Sequence, residues 1–211
     1  MNIVLDLDGT LIDSKLRLYR LFQYLAPDSS LSYEQYWALK QNRVSNETIL
    51  SSRLGYSKDE IAGFIAQWMA LIESPPYLSL DSSFVGIETA LGGLQQVADL
   101  YVCTARQLRQ PVLDQLASLN LLQFFKQLLV TEQKYTKESL IAANVVNLSS
   151  EDWMVGDTGK DIQVGKLLNI KTCAVLSGFL SKESLRRYCP DLIIDSVGSF
   201  VPPVRTRHFS Y

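Results

Sequence analysis

Residues 2–10 read NIVLDLDGT, with three consecutive apolar side chains at Ile3, Val4 and Leu5, then the carboxylates Asp6 and Asp8, then Gly9 and Thr10. A short unbroken apolar run that delivers a polar residue to its end is the pattern of a strand buried on both faces of a parallel sheet. Aspartate followed by glycine marks a sharp turn. Two carboxylates one residue apart at a strand end repel one another, so the arrangement needs a cation or a shared proton to be stable. The competing reading is a plain polar turn after a buried strand.

Five further runs repeat that form, at 100–103, 128–130, 153–155, 172–176 and 192–194, each ending near Thr, Gly, Ser or Asp. Helix-like stretches separate them, at 86–98, 108–119, 137–145, 161–168 and 182–187. Alternation of strand and helix from about residue 84 onward predicts an α/β fold, a doubly wound parallel sheet of Rossmann-like form with helices on both faces.

Residues 15–80 break the rhythm, since only helical patterning occurs there. Leu18, Leu21, Phe22 and Leu25 repeat at helical spacing, as do Ile61, Phe64, Ile65, Trp68, Met69 and Ile72. The expectation is a small all-helical cap domain inserted after the first strand, suited to act as a lid. Pro75 and Pro76 are expected to close it and leave an extended return to the main domain. The predicted division is therefore 1–14 with 81–200 as the core, 15–80 as the cap, and 201–211 as a loosely docked tail carrying the only histidine, His208.

With 211 residues, 47% hydrophobic and 20% charged, the chain is neither collagen-like, disordered nor a coiled coil. Lys and Arg number 20 against 22 Asp and Glu, so no basic field exists to draw nucleic acid or an anionic membrane. The longest strongly apolar stretch, 61–72, contains Gln67 and falls short of the roughly 20 residues of a membrane span. The opening residues lack the basic start and long apolar region of a secretory signal, so the mature chain is expected to begin at Met1. Three cysteines, odd in number and without C-x-x-C spacing, argue for a reducing, cytoplasmic compartment.

In a parallel sheet all strand ends of one polarity lie on one edge, so Asp6 and Asp8 should meet Asp157 at the end of the fourth run and Asp161 four residues on. Oxygen ligands without clustered His or Cys suit Mg²⁺ rather than zinc; a helix N-cap is the alternative for Asp157. The second run ends in Thr104-Ala105-Arg106, where a hydroxyl and the free amides of a helix start could grip an anion, although Thr104 could equally be an ordinary cap. Lys137 follows Thr136 at a helix start, where the helix dipole disfavours a cation by about 0.3 to 1 kcal/mol, so a compensating anion is expected. Lys134 competes for the same role.

DLDGT at Asp6, the strand-end Thr104, a loop lysine and GDTGKD at Gly156 resemble, in the same order, the four motifs of the haloacid dehalogenase superfamily. NIKTCAVLSGF at 169–179 and PDLIIDS at 190–196 resemble its phosphoglycolate phosphatase-like members, while the likeness fades in the cap. The resemblance implies a Mg²⁺-dependent phosphatase in which Asp6 attacks phosphorus to form an aspartyl-phosphate and Asp8 acts as acid and then base. It further implies that Asp6, the Asp8 backbone carbonyl and Asp157 hold the metal, that Asp161 orients metal-bound water, and that Thr104 and Lys137 bind the transferring oxygens. Many relatives carry Lys-Pro at the third motif, whereas here Glu138 follows Lys137, which keeps Lys134 in contention.

A phosphomutase of the same fold and a non-catalytic phosphometabolite-binding module are the rival readings; binding alone would not need both Asp6 and Asp8. Lys40, Asn42 and Arg43 form a polar patch in the cap, from which Arg43, together with Thr104, Ala105 and Arg106, is a candidate substrate contact. The near-neutral insertion, seven Lys and Arg against six Asp and Glu over 15–80, suits a small phosphorylated metabolite better than a polyanion.

Overall fold

In the computed structural model, described over residues 1–202, the chain opens with β1 (Asn2–Leu5) and a two-residue strand β2 (Ile12–Asp13). Five helices follow: α1 (Lys15–Leu25), α2 (Tyr33–Gln41), α3 (Asn46–Arg53), α4 (Lys58–Leu71) and α5 (Pro75–Leu78). After β3 (Ser82–Ser83), helix and strand alternate through α6 (Ile87–Gln95), β4 (Asp99–Thr104), α7 (Arg109–Ser118), β5 (Gln127–Val130) and α8 (Lys137–Asn144). The series ends with β6 (Trp153–Gly156), α9 (Gly159–Leu167), β7 (Lys171–Val175), α10 (Lys182–Arg186) and β8 (Leu192–Ile194).

Six strands form one parallel sheet in the order β5-β4-β1-β6-β7-β8. From β1 the chain builds outward through β4 and β5, then returns to β1's other side and builds outward through β6, β7 and β8. The reversal leaves a crevice beyond the carboxyl ends of β1, β4 and β6, the place where open α/β sheets bind ligands.

Successive side chains divide between the two faces, as strand geometry demands. Ile3, Leu5, Leu100 and Val102 pack with Leu91 of α6 and Val112 of α7, whereas Val4, Tyr101, Cys103 and Met154 pack with Ile141 of α8 and Val164 of α9. Helices cover both faces, and the doubly wound architecture is as the apolar runs predicted. Burial pushes the thiols of Cys103 and Cys173 up to about 12, so both behave as small core hydrophobes.

Helices α1 to α4 enclose a second core, centred on Phe22, Tyr36, Trp37, Ile49, Leu50 and Phe64. Ser32 and Ser57 cap α2 and α4 through reciprocal hydrogen bonds with Gln35 and Glu60, which fixes where those helices begin. The buried seam of α4 is narrower than its apolar stripe: Phe64 is buried and Ile61 and Trp68 pack beside it, but Ile65 and Met69 face solvent.

Two details of the cap's attachment differ from expectation. Pro75 and Pro76 do not lead into an extended segment; they open the single turn of α5, because proline at the first helical positions lacks only an N–H that would have no intrahelical partner. The outgoing and returning chains also pair as antiparallel β2 and β3, with Ile12 opposite Ser83 and Asp13 opposite Ser82. The predicted tail lies outside the described residues from 203 onward, and His208 with it.

Candidate active site

β1 ends at Leu5, and the Asp6 N–H donates to the Val155 carbonyl at 2.9 Å, which carries the strand pairing one residue beyond the strand and seats Asp6 at the sheet edge. Gly9 turns the chain with φ of 81°, and a Cβ there would lie 2.4 Å from an Asp157 carboxylate oxygen. Only glycine permits both the left-handed backbone and this close approach.

Asp6, Asp157 and Asp161 are all buried, and each offers a carboxylate oxygen within 4.8 Å of the others'. Lys137, the first residue of α8, donates from Nζ to Asp6 Oδ1 and Asp161 Oδ1, both at 2.6 Å. Asp161 Oδ2 accepts from the Thr158 N–H at 3.1 Å and its hydroxyl at 2.6 Å, closing a capping box at the start of α9. One ammonium thus faces three carboxylates. Burial raises Asp6 to about 7 against the opposing pull of Lys137, and burial together with Asp6 and Asp161 raises Asp157 well above the carboxylate range. Burial alone would lower Lys137, but Asp161 and Asp6 outweigh it and hold the ammonium above the ordinary lysine value.

Asp8 belongs to a different network. Its Oδ2 accepts from Arg106 Nε at 2.6 Å and its Oδ1 from Arg106 Nη2 at 2.8 Å, and Arg17 Nη2 of α1 also donates to Oδ1. Both arginines are buried, and both reach Asp81, at 3.1 Å from Arg17 Nε and 3.4 Å from Arg106 Nη2. Gln115 of α7 donates to Asp81 at 2.8 Å and accepts from Arg106 at 3.2 Å. Burial would raise Asp8, but Arg106 and Arg17 prevail and hold its carboxyl well below the usual range. Asp81 goes the other way: burial lifts it to about 6 despite the adjacent Arg17.

Asp6 and Lys137 from the first network and Asp8, Arg17 and Arg106 from the second line one cavity of about 730 Å³, together with Thr104. The arrangement separates a carboxylate cluster fitted to a cation from a carboxylate held by guanidinium groups. A divalent cation suits the cluster: Asp157 Oδ1 is buried with no hydrogen-bond partner among the described residues, and the all-oxygen donor set is that of a hard metal. Asp6, Asp157 and Asp161 would hold it, whereas the Asp8 carboxylate is engaged by the arginines, leaving its backbone carbonyl as the atom Asp8 could offer.

The sequence matches the haloacid dehalogenase-like hydrolase family over residues 3–175. The chain belongs to that family. Its fold is similar to a haloacid dehalogenase-like hydrolase from Streptococcus pneumoniae, with a TM-score of 0.74 and 24% identity over 93% of this chain and 94% of that one. It is also similar to a "predicted phosphoglycolate phosphatase" from Haemophilus somnus, with a TM-score of 0.70 and 17% identity over 93% and 94% of the two chains. A HAD hydrolase from Bacillus subtilis bound to magnesium gives a TM-score of 0.61 and 19% identity over 92% and 94%. No curated protein matches the sequence.

In this haloacid dehalogenase-like chain Asp6, Asp8, Thr104, Arg106, Lys137, Asp157 and Asp161 come together at one sheet edge, with Ala105 on the cavity wall. Lys134 is exposed and does not line the cavity. Arg43 does not reach the cavity either, because it follows the end of α2 with φ of 67° and lays its guanidinium over the Tyr188 ring at 5.1 Å. Lys40 donates to Asn46 at 3.2 Å, and Asn42 forms the C-cap of α2.

Between Thr104 and α7, the N–H groups of Gln107 and Leu108 donate to Glu73 at 2.7 and 3.2 Å. Glu73, on the cap's returning chain, thus ties the segment ahead of α7 to the cap. Arg17, Asp81, Gln115 and Glu73 were not singled out by the sequence. An arginine in an amphipathic helix and an aspartate in a serine-rich return ordinarily face solvent, and only their placement beside Asp8 distinguishes them.

Proposed function

We propose that the chain is a Mg²⁺-dependent phosphatase of small organic phosphomonoesters that works through an aspartyl-phosphate on Asp6. The observation that carries this reading is the pairing of Asp6 with Lys137 inside a three-carboxylate cluster, beside a fourth carboxylate, Asp8, held apart on arginines.

An Asp6 carboxylate oxygen attacks phosphorus, a new P–O bond forms, and the bond to the leaving alcohol breaks. Lys137 and Thr104 steady the equatorial oxygens, where charge stabilisation contributes most in phosphoryl transfer. Asp8 protonates the departing alkoxide, then takes a proton from the water that cleaves the acyl phosphate and regenerates Asp6. To act as acid, Asp8 must first gain a proton, which its two guanidinium partners oppose. Arg17 and Arg106 line the cavity, so an arriving phosphate dianion competes with Asp8 for them and raises its proton affinity. A divalent cation held by Asp6, Asp157 and Asp161 supplies the charge neutralisation that lets a carboxylate and a phosphate approach each other.

A small substrate follows from the cap. Arg17 and Leu18 of α1 and Ile72 after α4 form part of the cavity wall, and a bulky phosphorylated macromolecule would hold them away from it. The test is a screen of phosphorylated metabolites with and without Mg²⁺, using wild type and Asp6→Asn. Turnover should require the metal and vanish in the variant while its circular dichroism stays unchanged. Turnover by Asp6→Asn at the wild-type rate, or full activity after chelation, would overturn the reading.

A further inference from the structure

Ser177-Gly178-Phe179 follows β7 and takes no part in the reaction described above, yet it touches the start of α1, the Gly9 turn, Asp157 and the cap. Ser177 accepts at its carbonyl from Lys15 Nζ at 2.6 Å, and its hydroxyl donates to the Gly9 carbonyl at 2.9 Å. Lys15 is the first residue of α1, where the chain leaves the core. Gly178 rests directly on a metal-site carboxylate, since a Cβ there would lie 2.0 Å from Asp157 Oδ2.

Phe179 faces two ways. Its backbone N–H donates to Asp157 Oδ2 at 2.7 Å, while its ring stacks on Trp37 of α2, with centroids 5.4 Å apart and planes 19° from parallel. The ring belongs to the hydrophobic cluster of the cap. Just beyond it the Gln41 carbonyl, at the end of α2, accepts from the Ser181 N–H at 3.2 Å and the Ser184 hydroxyl at 2.8 Å. The cap therefore grips the core through the residue whose backbone holds one oxygen of Asp157 and leaves the other, Oδ1, without a hydrogen-bond partner among the described residues.

We infer that Phe179 is a positioning residue that couples docking of the cap to the affinity of the Asp6, Asp157 and Asp161 cluster for a divalent cation. The inference rests on the reading of that cluster as the metal site. An oxygen whose partner is already fixed needs less ordering when a cation arrives, and groups that orient metal ligands typically change metal affinity about 10- to 100-fold when lost. Releasing the ring from Trp37 frees the loop and with it the N–H on Asp157. Coupling between two sites is reciprocal, so a bound cation must also tighten the seat of α2 on the loop.

The experiment is calorimetric titration of Mg²⁺ into the substrate-free full chain, with amide hydrogen exchange over residues 33–41 in the presence and absence of Mg²⁺. Phe179→Leu removes the ring, Phe179→Tyr keeps it, and Phe179→Pro removes the N–H itself. Phe179→Leu and Phe179→Pro should weaken Mg²⁺ binding about 10- to 100-fold, Phe179→Tyr should bind as wild type does, and Mg²⁺ should slow exchange at 33–41 in wild type but not in Phe179→Leu. A Phe179→Leu chain with wild-type affinity, or a wild-type chain whose α2 exchange ignores Mg²⁺, overturns the coupling. A wild-type chain that binds no Mg²⁺ overturns the metal reading itself, and the coupling with it. The exchange measurement on wild type needs no variant to fold.

Discussion

Asp8 and Arg106 meet edge to edge, with Nε 2.6 Å from Oδ2 and Nη2 2.8 Å from Oδ1, although 98 residues separate them in the chain. The two parallel hydrogen bonds set the plane of the carboxyl group as well as its charge, which a lysine ammonium could not do.

Arg106→Lys is therefore expected to lower kcat/KM by about tenfold or more with the fold retained, because it keeps the charge and loses the orientation. Arg106→Ala should in addition destabilise the protein by about 3 kcal/mol, the lower end for a broken buried pair, since Arg17 still partners Asp8. Steady-state kinetics and chemical denaturation separate the two effects. An Arg106→Lys enzyme with wild-type kcat/KM would show that the orientation of Asp8 is immaterial.

Lys137→Ala should reduce kcat by about 10² to 10³, in line with the loss of one donor to developing charge. Lys134→Ala should stay within about twofold, because that side chain is exposed and away from the cavity. The reverse ranking of the two variants' rates would move the role to Lys134.

Stability of the metal-free protein should fall as pH rises between 3.8 and about 7. Asp6 has its folded-state value raised from 3.8 to about 7, so across that window the native state binds more protons than the unfolded chain, and stability declines with pH. The raised Asp157 acts in the same direction. Mg²⁺ binds the deprotonated carboxylates and must compete with those protons. Thermal melts should accordingly show a larger Mg²⁺-induced rise in Tm at pH 8 than at pH 5; an equal rise at both would contradict the argument.

Glu73→Ala should cost roughly 1.5 to 3 kcal/mol, the range for hydrogen bonds to a charged group, since the backbone N–H groups of Gln107 and Leu108, just ahead of α7, lose their acceptor. Because those groups follow Thr104 closely, kcat/KM should also drop, while Glu73→Gln should recover part of both losses. Urea denaturation beside kinetics on the two variants checks this, and an unchanged Glu73→Ala midpoint would refute it.

The sheet was legible because its strands are short apolar runs that each stop at a polar residue, and a parallel sheet gathers such ends on one edge whatever their separation in sequence. Asp6 and Asp157 could be placed together on that ground, whereas Lys137 rested on its place at a helix start and left Lys134 competing for the role. The arginine network could not be, since Arg17 and Asp81 lie at opposite ends of the insertion and meet only once the cap has folded. The pairing of Ile12 with Ser83 likewise escaped notice, as two-residue strands carry no periodicity. The exposure of Ile65 and Met69 follows from the short helices around α4, which cover only part of its apolar face.

The pairing of Asp13 with Ser82 bears on the ancestry of such chains as well as on their mechanics. Paired strands lie about 5 Å apart, a gap that a turn of two residues spans. The path of β1 therefore does not depend on which helices lie between these two positions, whereas the side chains of Asp8 and Asp157 do, through Arg17 and through Trp37 on Phe179. Selection on the intervening helices can redesign what the enzyme accepts as long as a guanidinium still reaches Asp8 from the first of them.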